Sequence, residues 1–358
     1  MFGSALYYPY IDIEDGKWLR SAILFWDEIQ TIVPTSIKKP YKSKDTRICA
    51  EEGYLSPLPC DLHGDVLNQL GKRVINLVQN PEGPSDLDPF ASNADPNSYA
   101  LVHAHKLGHA LRHELRAARL HPAKLSAELR ALFPGAEHTD ANNDWLLVDA
   151  SFASTYMSAL AALLSREIRV SPLTNEEAAL GINLSCLIDD VASSSASDAK
   201  GAIVTLLMES LRVDPNTKVE KLISFRRSRS TQLSELSALF DDLATKIEKC
   251  ESGRELESRA KVAFETKIRP GLEKLKNELN NQRIQATWDG VYRAITVSVP
   301  AGGALAYFTG LSGTLLLTAG AALAITDVAV KTYLTQRKAR SSSPYTYLLD
   351  VERRFSAV

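Results

Sequence analysis

Four of the seven histidines, His103, His105, His109 and His113, fall within eleven residues. On a helix, His105, His109 and His113 repeat at i, i+4 and i+8 and share one face, the spacing at which neighbouring imidazoles chelate a metal ion. His103 or Glu114 would be the further ligand. The same spacing also describes a solvated face beside Lys106, Arg112 and Arg116. Helices that hold a metal take a ligand from a second element as well, and His63, His121 and His138 stand outside any paired spacing.

A second candidate is Phe225-Arg226-Arg227-Ser228-Arg229-Ser230, the densest basic run beside an aromatic residue. Arg226, Arg227 and Arg229 could contact phosphates, although Glu220 and Glu235 are near enough in sequence to neutralise them. The whole chain offers no basic field, with 41 Lys plus Arg against 43 Asp plus Glu, so nucleic acid is not an expected partner. Catalytic patterns are missing: there is no G-x-S-x-G elbow, phosphate-binding glycine loop, G-x-G-x-x-G or H-E-x-x-H, and no cofactor is expected. Asp12-x-Glu14-Asp15-x-Lys17 can be set into the carboxylate-then-lysine pattern of a metal-dependent nuclease. Asp15 is more simply a helix cap.

These residues need elements to position them. Composition is that of an ordinary folded protein, 45% hydrophobic and 23% charged. Ala5 to Ile11 reads as a strand, which Pro9 would place at an edge or a bulge, and Thr31 to Pro34 as a second. Between them Asp15 caps a helix with apolar residues Trp18, Ala22, Phe25, Trp26 and Ile29. That order suggests a parallel pair joined by a right-handed crossover. Residues 35 to 58 read as loop or hairpin, Asp61 to Val78 as an amphipathic helix, and Lys106 to Leu120 as another helix. Trp145 to Val148 reads as a buried strand, Phe152 to Ile168 as a helix stopped by Pro172, Ser193 to Ser197 as a linker, and Ala202 to Met208 as a buried strand.

From Thr217 the chain becomes long charged helix. Leu233, Leu236, Phe240, Leu243, Ile247 and Cys250 form one seam, and Ile268, Leu272, Leu275 and Leu279 a returning one beyond the Ser252-Gly253 turn. Pro270 starts or kinks the second helix. Cys49, Cys60, Cys186 and Cys250 form no C-x-x-C pair and read as small buried hydrophobes. With no signal-peptide pattern at Met1 to Ser4, a cytoplasmic location is expected.

Leu6-Tyr7-Tyr8-Pro9-Tyr10, Trp18-Leu19, Trp26-Asp27-x-Ile29 and Ile32-Val33-Pro34 resemble the opening of an uncharacterised family of bacterial proteins of unknown function. Tyr156-Met157-x-x-Leu160-Ala161, Pro172-Leu173-Thr174 and Ile223-x-Phe225-Arg226 are also similar, so the likeness runs from residue 1 to roughly 285. It implies a bacterial protein with a shared fold and brings no catalytic residues.

Ala294 to Thr326 carries no charge and is interrupted by Pro300, Gly302, Gly303, Gly310 and Gly313. As one helix after the proline it would run roughly 39 Å, enough for a hydrocarbon core of about 30 Å. Lys331, Arg337, Lys338 and Arg340 follow it, so the positive-inside rule would send the long N-terminal part across. A hairpin turning at Gly310 to Gly313 keeps both ends on one side. Its apolar contacts would be Leu305, Tyr307, Phe308, Leu311, Leu315, Leu316, Leu317, Leu323 and Ile325. Such a hairpin suits a membrane or the protein's own core.

The expected fold is α+β and predominantly helical. Residues 1–216 form an N-terminal α+β unit containing the βαβ element, 217–288 a long antiparallel helical hairpin, and 289–358 an apolar Gly/Ala-rich hairpin with the C-terminal tail. The leading function is a non-enzymatic effector or interaction protein whose apolar hairpin contacts membrane or is released by a trigger. A soluble scaffold with the hairpin as permanent core is the alternative, and a metal-dependent hydrolase or nuclease the third. Expected partners are another protein or a second copy through the long helices, and a membrane surface; the sequence specifies no small-molecule ligand.

Overall fold

The structure, a computed structural model, describes residues 2–79, 117–132, 145–175, 195–211, 213–247, 250, 253–278 and 343–356. They form a predominantly helical α+β fold around a four-stranded parallel sheet of order β3-β2-β1-β6. The strands are β1 (Ser4–Tyr7), β2 (Glu28–Val33), β3 (Leu55–Pro59) and β6 (Ser171–Leu173). An antiparallel pair, β4 (Ala117–Leu120) and β5 (Leu146–Asp149), forms a second sheet.

Alternation along β1 sends Ala5 and Tyr7 to one core and Leu6 and Tyr8 to the other. On the first face lie α1 (Gly16–Ile23) and α2 (Lys44–Glu51), the crossovers from β1 to β2 and from β2 to β3. On the second lie α3 (Gly64–Gln79), α4 (Ala127–Ala131) and α5 (Ala150–Ile168), which precede β6. A right-handed crossover that reverses direction across a sheet must run over the opposite face, so β6 joins β1 on the side away from β2. The parallel β1–β2 pair and the Asp15 cap, which accepts from Lys17 N and Trp18 N, agree with the expectation. Pro9 differs: β1 is central, and the proline lies two residues past its end after a cis Tyr8–Pro9 bond.

The first face also receives α6 (Ala196–Ser210), α7 (Val219–Ser228), α8 (Ser230–Ile247), α9 (Gly253–Ala263), a π turn at Phe264–Ile268, α10 (Arg269–Glu278) and α11 (Thr346–Phe355). The seam of α8 packs mainly on α6, and α6 also contacts α9, so the long helices close around a helix from the N-terminal part. One continuous core contains Phe2, Phe240, Ile268 and Tyr347. The π turn answers Pro270, which has no N–H for the Thr266 carbonyl and whose ring would crowd it.

Four stretches correct the sequence reading. The helix expected to carry Phe25, Trp26 and Ile29 ends at Ile23, and Ile29 belongs to β2. Ala202 to Met208 is helix, because Ser195 and Asp198 make a full capping box and start α6 inside the expected linker. Ala117 to Leu120, expected to end a helix, pairs with β5 as strand. Residues 35 to 58 hold α2, capped by Ser43, and β3, whose Pro57 and Pro59 are tolerated because β3 is an edge strand.

Tyr347 fixes α11: fully buried between Phe25 and Phe225, it donates to the Leu24 carbonyl at 2.6 Å. Tyr347→Phe keeps the packing and strands that acceptor, so a loss of about 1–2 kcal/mol is expected in urea unfolding. An unchanged midpoint would mean that the bond adds nothing to docking.

Candidate functional site

In an open parallel sheet, ligands collect at the carboxyl ends of strands where the order reverses, here between β1 and β6. Tyr7 Oη donates to Asn175 Oδ1 at 2.8 Å across this gap, and Trp18 lies against the Tyr7 ring with centroids 4.9 Å apart. The N-terminus of α1, where a nucleotide phosphate would sit, is closed by the Asp15 carboxylate, which takes two of its N–H groups. No glycine-rich turn precedes it. This end of the sheet is therefore built against phosphate.

Beyond β2 and β3, Asp61 accepts from Thr35 N at 2.9 Å and from Thr35 Oγ1. Burial alone would raise its carboxyl, but these bonds outweigh it and hold the group below its ordinary value. Ser36 Oγ stands 3.4 Å from His121 Nε2. His121 Nδ1 accepts the Ala123 N–H at 3.1 Å, which leaves the proton of the neutral ring on Nε2. That tautomer cannot take a proton from Ser36, so serine, histidine and aspartate here do not make a nucleophile with its base.

Beneath them Cys60, Lys124 and Tyr156 are buried together. Burial pushes the Cys60 thiol up to about 11 and the Lys124 ammonium down to about 8, with each group opposing the other's shift. Tyr156, also raised by burial, donates to the Lys124 carbonyl at 2.7 Å. A thiol so raised is a weak nucleophile at neutral pH. Cys49, Cys60 and Cys250 are buried and in no disulfide, in line with their reading as small hydrophobes. Sequence reasoning missed Lys124, since nothing in His121-Pro122-Ala123-Lys124 marks its lysine as internal.

The basic run divides three ways. Arg226 points inward and donates to Ile23 O at 2.7 Å, to Trp26 O and to Asp27. Arg227 pairs with Glu52 at 2.6 Å, and Arg229 with Asp350 at 2.9 Å. Each arginine meets a carboxylate of its own chain, so the three do not converge on one phosphate-sized site. His105, His109 and His113, and the apolar residues from Leu305 to Ile325, lie outside the described residues. Among the described residues, no group of three or more His, Cys, Asp and Glu could hold a metal ion, and no helix is long and apolar enough to cross a membrane.

The two helices flanking the apolar segment meet. The α11 helix packs on α10, and Tyr345 Oη donates to the Lys267 carbonyl at 2.9 Å. The described chain therefore stops at Glu278 and resumes at Ser343 beside the same helix.

Comparison with curated proteins and with solved structures found no match. A family model described as a family of unknown function (DUF6236) matches residues 88–356. That match takes in β4 to β6, both long-helix seams, the apolar segment and α11, and the chain belongs to this family of unknown function.

Proposed function

We propose that the chain is a bacterial effector or interaction protein, cytoplasmic and acting by contact rather than catalysis, whose apolar segment Ala294 to Thr326 touches a membrane or is released onto one by a trigger. The shared base of that segment supports the reading. Because α10 and α11 pack in one core, the described chain on either side of the segment lies on one side of any bilayer. A single crossing would tear the two helices apart, whereas a hairpin that enters one leaflet and returns would not. Uncharged Gly/Ala-rich sequence with Leu and Phe suits such a hairpin.

Flotation of the untagged protein with vesicles of phosphatidylcholine and phosphatidylglycerol tests this. The full chain is expected to float, and a variant with residues 294–326 replaced by a Gly/Ser linker to stay behind while melting as a folded protein. If the full chain stays wholly soluble and leaves the vesicles untouched, the membrane reading falls. Loss of the melting transition in the linker variant would then make the segment permanent core of a soluble scaffold.

A further inference from the structure

Lys124 ends the short turn Pro122–Lys124, which His121 opens by accepting the Ala123 N–H on Nδ1 at 3.1 Å. The Lys124 N–H donates to the His121 carbonyl at 2.9 Å, and the Lys124 carbonyl accepts the Tyr156 hydroxyl at 2.7 Å. Both backbone groups are thus held, and the residue is only 3% exposed. A lysine ordinarily lays its stem along apolar surface and leaves the amine in water. This one is enclosed instead.

Two lysines are buried among the described residues, and their amines differ. Lys200 Nζ meets Asp241 at 2.7 Å and Ser237 at 3.3 Å and lies over the Phe2 ring. Lys124 Nζ has no hydrogen bond or ion pair among the described residues, and the titratable group acting on it is Cys60. The Cys60 Sγ lies 3.9 Å from the Ala123 carbonyl, and burial keeps its thiol protonated. Of the two groups, then, the amine is the nucleophile. A desolvated lysine without a carboxylate gives up its proton readily and attacks carbonyl carbon. With burial lowering Lys124 to about 8, it holds on the order of a hundredfold more free amine at neutral pH than an ordinary lysine.

We propose that Lys124 is a covalent binding site for a small uncharged aldehyde or ketone, held as an imine. The amine lone pair forms the C–N bond, the carbonyl oxygen leaves as water with the two amine hydrogens, and no oxidant or reductant is consumed. Leu120, Leu125 and Tyr156 belong to the core around this turn and would strip the water from a charged ligand, so the class is uncharged. The tight enclosure keeps it small. His121, at the mouth of the turn, stands 3.4 Å from the exposed Ser36 hydroxyl, which puts solvent within a few residues of the amine. The site is independent of the membrane reading and stands whether or not the apolar segment touches lipid.

The test treats the folded full chain with propanal and sodium cyanoborohydride and locates labelled lysines by peptide mass spectrometry, with the exposed Lys39 as reference. At about pH 7, Lys124 is expected to be labelled at least about tenfold faster than Lys39, an advantage that shrinks toward about pH 10 as ordinary lysines also lose their protons. In urea the preference should vanish, which ties it to the fold. Glyoxylate, a charged aldehyde, should show no preference for Lys124, and a retained one would overturn the uncharged class. Labelling of Lys124 no faster than Lys39 in the folded protein would overturn the proposal itself. Lys124→Met and Lys124→Arg should lose the fast label, and a fast label that survives in both would place the reactive amine elsewhere.

Discussion

Arg226→Ala is expected to lower stability by about 3–5 kcal/mol, the cost of breaking a buried ion pair from one side. The Arg226 side chain is 6% exposed and paired with Asp27. It also satisfies the carbonyls of Ile23 and Trp26 and lies over the Tyr54 ring at 5.2 Å. Removing it takes this donor from two carbonyls and from Asp27 Oδ1 at the corner where α1 turns into β2. Asp27 is itself bonded to the Gly3 N–H at 2.7 Å, so the loss reaches the start of β1. Arg226→Lys should recover only part of the loss, since an ammonium cannot reproduce the planar fork that reaches three acceptors. Urea unfolding at neutral pH checks this: the midpoint should fall with its slope unchanged. A loss below about 1 kcal/mol would make the pair no better than a surface salt bridge.

That result would also recast the densest basic run of the chain. In sequence, Arg226, Arg227 and Arg229 lie close together beside Phe225, and closeness suggested a shared phosphate. A helix turns by about 100° per residue, so near neighbours face different ways, and which one faces inward depends on what packs against α7. The carboxylates that meet them, Asp27, Glu52 and Asp350, come from three distant parts of the chain. No local spacing could have named them.

Local signals were legible where local physics decides. Asp15 capped α1, the seam of α8 was buried, and Phe152 to Ile168 was helix, each from capping chemistry or a period of 3.6. Ala202 to Met208 misled because Ile203, Val204 and Thr205 carry strand propensity, and burial against α8 overrides a preference of a few tenths of a kcal/mol. β3 and β6 were hidden by their prolines, which are tolerated on strands that pair on one side only. The packing of the Tyr345 ring against Gly271 was beyond sequence reasoning: the two residues are separated by the whole apolar segment.

Lys124→Met should stabilise the protein at neutral pH by about 3 kcal/mol, and the gain should vanish as the pH rises. Lys124 is 3% exposed among apolar neighbours, and burial lowers its pKa from 10.5 to about 8. Below about pH 8 both folded and unfolded chains carry the proton, and the folded state bears the full cost of a desolvated charge. At about 1.4 kcal/mol per unit, a depression of this size gives the 3 kcal/mol. Between pH 8 and 10.5 the unfolded chain holds more protons than the folded one, so the wild type becomes more stable as pH rises and closes on the methionine variant. Cys60 acts in the opposite sense above pH 9, because its folded pKa of about 11 means that unfolding then releases a proton. The clean window is therefore pH 7 to 9, read as the difference between the two proteins in urea. A gap that stays constant across that window would mean that Lys124 is not the group losing its proton. A wild type more stable than the variant at pH 7 would mean that the ammonium is held by a bond rather than merely enclosed, and the buried cluster of Lys124, Cys60 and Tyr156 would then be a site built for charge.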